Sequence, residues 1–174
     1  GADEADAVIM HGTSLGASYR LGKSEDIQRS EGRDLGLRVL LGRRQAMVST
    51  TDFAEETLDT LVERAVAMAR AVPEDPFCGL ISSEQLARDW PDLELADSRE
   101  PQTEQLIDWA RRAEEAARAV PGVTNSEGGD ASWSRSSAAL ATSGGFSGNY
   151  NSSRFSFSVS VIAGNDTHME RDYD

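Results

Sequence analysis

Residues 30–51, SEGRDLGLRVLLGRRQAMVSTT, constrain this chain more than any other stretch. Leu35, Leu37, Val39 and Leu41 fall on one face of a strand, because successive strand side chains point to opposite faces. Gly42-Arg43-Arg44 can turn the chain back into a second strand over 45–49, giving a hairpin. The period then changes. Asp52 has the chemistry of an N-cap, and Glu55 three residues on completes a capping-box pattern. Leu58, Leu61, Val62, Ala65, Met68 and Val72 follow helical spacing until Pro73 stops it.

The same reading extends in both directions. Residues 5–10 are apolar and rich in β-formers, which predicts a short buried strand. Leu15, Ala17, Tyr19 and Leu21 alternate with Gly16, Ser18 and Arg20, the pattern of a half-buried strand. Gly22-Lys23 can turn the chain, and the polar run 25–31 reads as an edge strand. Residues 73–102 form an irregular connection containing Pro73, Pro76, Pro91 and Pro101; a connection this long is a functional loop or a linker. A second helix starts near Thr103, carries Leu106, Ala110, Ala113, Ala117 and Val120 on one stripe, and stops at Pro121-Gly122. Strand patterns return over 133–142. After a Ser143-Gly144-Gly145 turn, Phe155, Phe157, Val159 and Val161 alternate with Ser156, Ser158 and Ser160.

Strands, two helices, then strands predicts an α+β fold. The expected form is a mostly antiparallel sheet built from the N-terminal and C-terminal strand groups, with two main helices, about 53–72 and 103–120, packed on it. One domain over 1–174 is expected. Both ends read as cut, since a strand pattern opens almost at once and MERDYD ends inside a regular segment. The expectation is an N-terminal fragment of a longer protein.

The formal charge of −13 disfavours direct nucleic-acid binding and anionic membranes, which need clustered Lys and Arg. No apolar run approaches the roughly 20 residues that span a bilayer. The single cysteine, Cys78, rules out an intrachain disulfide and fits a reducing compartment.

Most catalytic patterns fail on spacing. GASYRLGKS at 16–24 has five residues between its glycines where a phosphate-binding loop has four, and its flank alternates like a strand. GGFSG at 144–148 is a hairpin turn first, and it lacks the glycine spacing of a nucleophile elbow. Cys78 has no nearby basic residue in sequence to activate it. The histidines, His11 and His168, are far apart in sequence, so no H-E-x-x-H zinc helix exists. His168, Glu170 and Asp172 would share one face of a strand and could in principle hold a divalent ion, although a solvated charged face is the simpler reading. Two interaction candidates remain. Arg43 and Arg44 form a basic spot at a hairpin tip that could pair with a carboxylate on another domain or subunit. The face of Ser156, Ser158 and Ser160 could line a groove where an extended peptide adds as a strand.

The runs SEGRDLGLRVLLGRRQAMVSTTDF, LVERAVAMARAVPEDPF, AVPGVTNSEGG, ALATSGGFSG and SVIAGNDTHMERDYD resemble, in the same order, the N-terminal part of the TldD/PmbA family, and are most similar to its PmbA (TldE) branch. The resemblance implies a cytoplasmic protein, longer than this chain, that pairs with a TldD-like subunit to form a metalloprotease acting on extended or unfolded peptides; the older label is modulator of DNA gyrase. It implies that zinc sits in the partner subunit's C-terminal domain, in an H-E-x-x-x-H motif, and that no catalytic or metal residue carries over to this chain. The function so implied is a scaffold and peptide-channel domain of the non-catalytic subunit. The alternative is a free-standing acidic protein-binding domain without a proteolytic role. A self-contained hydrolase ranks last, because no nucleophile has a base nearby in sequence.

Overall fold

The structure is a computed structural model that describes residues 1–165 and 167–174. The fold is α+β, as the order of strand and helix patterns predicts. The described residues form β1 (Glu4–Arg20), β2 (Lys23–Leu41), β3 (Arg44–Thr50), α1 (Glu55–Ala71), α2 (Thr103–Arg118), β4 (Val123–Thr142), β5 (Ser147–Asn165) and β6 (His168–Tyr173). The strands make one antiparallel sheet in the order β3-β2-β1-β4-β5-β6, so the N-terminal and C-terminal groups join through β1 and β4.

Several strands are longer than the sequence suggests. Runs 5–10 and 15–21 belong to one 17-residue strand, β1, apart from Leu21, which lies in the turn after it. Runs 25–31 and 35–41 are a single 19-residue strand, β2. The expected strand at 133–142 begins already at Val123. Common strands run about 3–10 residues. The misreading has a physical cause. The first part of β2 is exposed throughout, so its side chains show no alternation while the backbone stays extended. Residues 5–10 are not buried either: Ile9 and Met10 are about half exposed, since an antiparallel sheet can leave one face open.

Contacts gather into two compact units. One comprises Gly1–Gly12, Gly32–Glu94 and Ser136–Asn151; the other comprises Thr13–Glu31, Leu95–Arg135 and Ser152–Asp174. Each of β1, β2, β4 and β5 therefore contributes to both.

In the first unit, β2 and β3 pair from Leu35↔Thr50 to Leu41↔Arg44, leaving Gly42-Arg43 as a two-residue loop. Arg44 is thus the first residue of β3 rather than part of the turn. Gly42 adopts φ 57, the left-handed conformation a tight hairpin needs at its first loop position. α1 packs on β3 and buries Leu61, Ala65 and Ala69 at four-residue intervals. Ala65 and Ala69 join Val39 and Ala46 in one core, with Leu37, Leu41 and Val48 at its margin. The start of α1 differs from the capping-box reading. The N-cap is Ala54, without a side-chain bond. Asp52 instead accepts the Ala54 N–H (3.0 Å) and the Thr57 hydroxyl (2.7 Å), forming an Asx turn just ahead of the helix.

In the second unit, Leu106 and Ala110 of α2 pack with Leu15, Ala17, Ala131 and Trp133, and with Tyr19, Trp109 and Phe155 at the margin. The approach is close. A Cβ on Gly129 would lie 2.4 Å from the Ala110 carbonyl oxygen, so β4 needs a glycine there. The β1–β2 loop is Leu21-Gly22, both at positive φ (47 and 89), as a type I′ turn requires.

Candidate functional site

The end of the β4–β5 hairpin, Ser136–Asn151, carries no charged side chain, in a chain whose formal charge is −13. Its turn is closed locally: the Thr142 N–H donates to the Phe146 carbonyl (2.9 Å), and the Thr142 hydroxyl accepts the Phe146 N–H (3.2 Å). The tip is tied to the start of β1, because the Ser143 N–H donates to the Ala5 carbonyl (2.8 Å) and the Ser143 hydroxyl accepts the Ala5 N–H (2.9 Å).

This arrangement leaves a groove of about 430 Å³, lined by Val8, Met10, Trp90, Leu140, Phe146 and Tyr150 among others. The volume falls within the ordinary range for ligand pockets, about 300–1,000 Å³. The Trp90 and Phe146 rings meet at a tilt, 6.1 Å between centroids. A Cβ on Gly148 would sit 3.0 Å from Phe146 Cζ and 3.8 Å from a Trp90 ring carbon, so the missing side chain leaves room for both rings. Met10, Trp90 and Tyr150 are each at least half exposed. A concave apolar surface on an acidic protein is the feature of this unit best suited to a ligand.

Near this groove the strands are held by charge. Arg38 of β2 donates to Asp6 Oδ2 of β1 through Nε (3.0 Å) and through Nη2. That hydrogen bond raises the Arg38 pKa above its ordinary value. At the start of α1, the Ala54 N–H and then the Thr57 hydroxyl hold the Asp52 carboxyl below its ordinary range. In the second unit Asp97 is lowered by the Arg99 side chain and the Arg99 N–H. Its main-chain N–H donates to the Ser153 hydroxyl (2.7 Å), and its carbonyl accepts from Arg135 (2.7 Å).

The residues singled out from sequence go to different tasks. Arg43 is exposed at the hairpin loop, and its carbonyl accepts the Asp75 N–H (2.7 Å). Arg44 points to the end of α1, toward the Arg70 carbonyl (3.5 Å) and the Glu74 carboxylate (3.6 Å), where a cation complements the helix dipole. The two arginines therefore make different contacts within the chain. Ser156 and Ser158 are exposed on β5. Ser160 is engaged: it donates to Glu127 (2.8 Å) and accepts from Arg171 (3.0 Å). Phe155 and Phe157, at the alternating positions, lie edge-on to Trp109 of α2. His168, Glu170 and Asp172 occupy alternate positions of β6, all exposed, and among the described residues no three His, Cys, Asp or Glu side chains come together as a metal would need.

Two family models match consecutive parts of the chain: PmbA/TldA metallopeptidase domain 1 over residues 5–69 and the PmbA/TldA metallopeptidase central domain over residues 96–174. Metalloprotease PmbA of Escherichia coli O157:H7 is 34% identical over 172 residues, and a PmbA homologue of Haemophilus influenzae is 31% identical over 171. The chain belongs to the PmbA/TldD metallopeptidase family. It spans 38% of the length of either PmbA relative, while the matches cover 98% of the chain itself. PmbA/TldD architecture is also seen in solved structures. A Bacteroides thetaiotaomicron protein, whose crystal structure bears the name modulator of DNA gyrase, superposes with a TM-score of 0.90 at 18% identity, over 99% of this chain and 40% of that one. TldE from Thermococcus kodakarensis superposes with a TM-score of 0.79 at 16% identity, over the same shares.

A metallopeptidase family implies a metal, and the described residues of this PmbA/TldD chain do not fit one, because they supply no three-ligand set. Sequence reading also missed the groove. One signal was available: Ser136–Asn151 is uncharged while carboxylates crowd most other segments. What could not be seen was that Trp90, in an irregular connection, meets Phe146.

Proposed function

We propose that this chain is the N-terminal scaffold and peptide-channel part of the non-catalytic subunit of a TldD/PmbA-type metallopeptidase. Its partner is a TldD-like subunit whose C-terminal domain holds zinc. The substrate is an extended or unfolded peptide, and the assembly works in the cytoplasm without contacting nucleic acid or membrane. The observation that carries this reading is the ordered match to both PmbA/TldA domain models, together with the kinship to proteins named PmbA. No described helix is long and apolar enough to cross a membrane. In this reading the chain's contribution is geometric: sheet surface and apolar grooves position a peptide, and bond breaking takes place on the partner.

The test is reconstitution. The full-length protein is co-expressed with a TldD-like protein, and co-purification, zinc content and peptidase activity are measured for each protein alone and for the mixture. The expected result is co-purification, zinc assigned to the partner, and cleavage only in the mixture. Stoichiometric zinc and cleavage in the full-length protein alone would overturn the non-catalytic assignment.

A further inference from the structure

The groove at the β4–β5 hairpin is apolar and lies beside an acidic stretch of sequence. Its lining includes Leu140, Phe146 and Tyr150 from the uncharged hairpin together with Val8 and Met10 of β1. Trp90 completes the lining, and the segment that carries it is acidic on balance: Asp89, Asp92 and Glu94 fall within six residues of sequence, with Arg88 directly before them. All three carboxylates belong to exposed residues. Asp92 Oδ1 accepts the Glu94 N–H (2.9 Å), which fixes the turn after Trp90.

From this pairing of an apolar groove with an acidic segment beside it we infer that the groove binds a cationic peptide segment, one whose apolar or aromatic side chain packs against Trp90 and Phe146 while flanking Lys or Arg meet Asp89, Asp92 and Glu94. Charge decides between the occupants. A second copy of this chain would bring another body of charge −13 against an acidic segment, which like-charge repulsion disfavours. A cationic peptide is drawn to the same segment, and the exposed charges act over about 8 Å at physiological salt. The apolar contact with Trp90 supplies the anchor, because buried aromatic contacts carry most of the energy in small interfaces. The inference rests on the peptide-handling reading for the nature of its occupant and adds where the peptide sits and which sequences it favours.

The test uses the purified full-length protein and two fluorescein-labelled peptides, Lys-Lys-Leu-Phe-Leu-Lys-Lys and Glu-Glu-Leu-Phe-Leu-Glu-Glu, followed by fluorescence polarisation at low and high salt. The lysine peptide binds and weakens with salt; the glutamate peptide does not bind. Trp90→Ala weakens binding at least about tenfold. The paired change Asp89→Asn and Asp92→Asn, which alters exposed positions and leaves packing intact, weakens it about three- to tenfold. Equal binding of the two peptides, no binding of either, indifference to these substitutions, or dimerisation that buries the groove instead would each overturn the inference. Cleavage of the lysine peptide by the reconstituted pair is measured in parallel. Cleavage that persists when Trp90→Ala has abolished binding sinks the groove alone; groove binding without any cleavage sinks the peptidase reading alone.

Discussion

Glu114, fully buried on α2, accepts the main-chain N–H of Leu21 with both carboxylate oxygens, at 2.9 and 3.1 Å. Leu21 sits at φ 47, a conformation unfavourable for a residue with a branched side chain, and costs of order 1 kcal/mol relative to glycine there. The buried carboxylate holds that turn through its main chain. Glu114→Ala leaves the Leu21 N–H without its acceptor and is expected to lower the free energy of unfolding by about 2 kcal/mol. Glu114→Gln keeps an acceptor and should lose less than half as much. Urea denaturation of the full-length variants measures both, and an equal loss for Ala and Gln would contradict the assigned role.

Gly129 presents a steric prediction. Its missing Cβ is what allows the Ala110 carbonyl to approach, and a methyl group would meet backbone, which cannot swing aside. Gly129→Ala is expected to cost about 3 kcal/mol or more, or to abolish soluble expression. Gly16→Ala, where a Cβ meets nothing within 4 Å, serves as the control and should stay within about 0.5–1 kcal/mol of the parent.

Asp52 governs an acid limb. Its carboxyl is held below the ordinary value of 3.8 by the Ala54 N–H and the Thr57 hydroxyl. A folded-state value below the unfolded one means that the stabilisation is fully present above about pH 4. It is lost as pH falls through the depressed value, where the folded protein must take up the proton. Asp52→Asn retains an oxygen for the Ala54 N–H but does not titrate there. The difference in thermal midpoint between parent and variant should therefore shrink as pH drops from 6 toward 3 (about three decades in proton activity). A constant difference across that range would exclude the carboxylate as the cause.

Arg171 ties β6 to its neighbours. It meets Glu127 Oε2 at 2.6 Å and Ser160 at 3.0 Å. The pair is exposed, so Arg171→Ala should change global stability by less than about 1 kcal/mol. Local opening should change more, with faster hydrogen exchange at the β6 amides opposite Val161 and Ala163. Unchanged exchange in β6 would show that the backbone ladder alone holds the strand.

What the sequence could and could not reveal follows from the kind of interaction involved. The β2–β3 hairpin was legible because Leu35, Leu37, Val39 and Leu41 repeat with the period of a pleat and a glycine stands at the loop. Both helices were legible from their spacing, yet the stripe on α1 was not the buried one in full: Val62 and Met68 stay exposed while Ala69 is buried. Small residues permit close packing without announcing it in hydropathy. Glu114 was illegible because a glutamate in a helix reads as a solvent-facing residue until the turn that it serves is seen. The groove was illegible for a different reason. Trp90 and Phe146 lie on segments with no common periodicity, and only the folded chain brings them together.

Four ribbons of backbone, β1, β2, β4 and β5, each pass from one unit into the other, so each unit is assembled from three separate stretches of polypeptide. No single cut in the gene can release either unit intact. A frameshift, deletion or protease nick in any one ribbon damages both at once, and the pair must be inherited, synthesised and lost together.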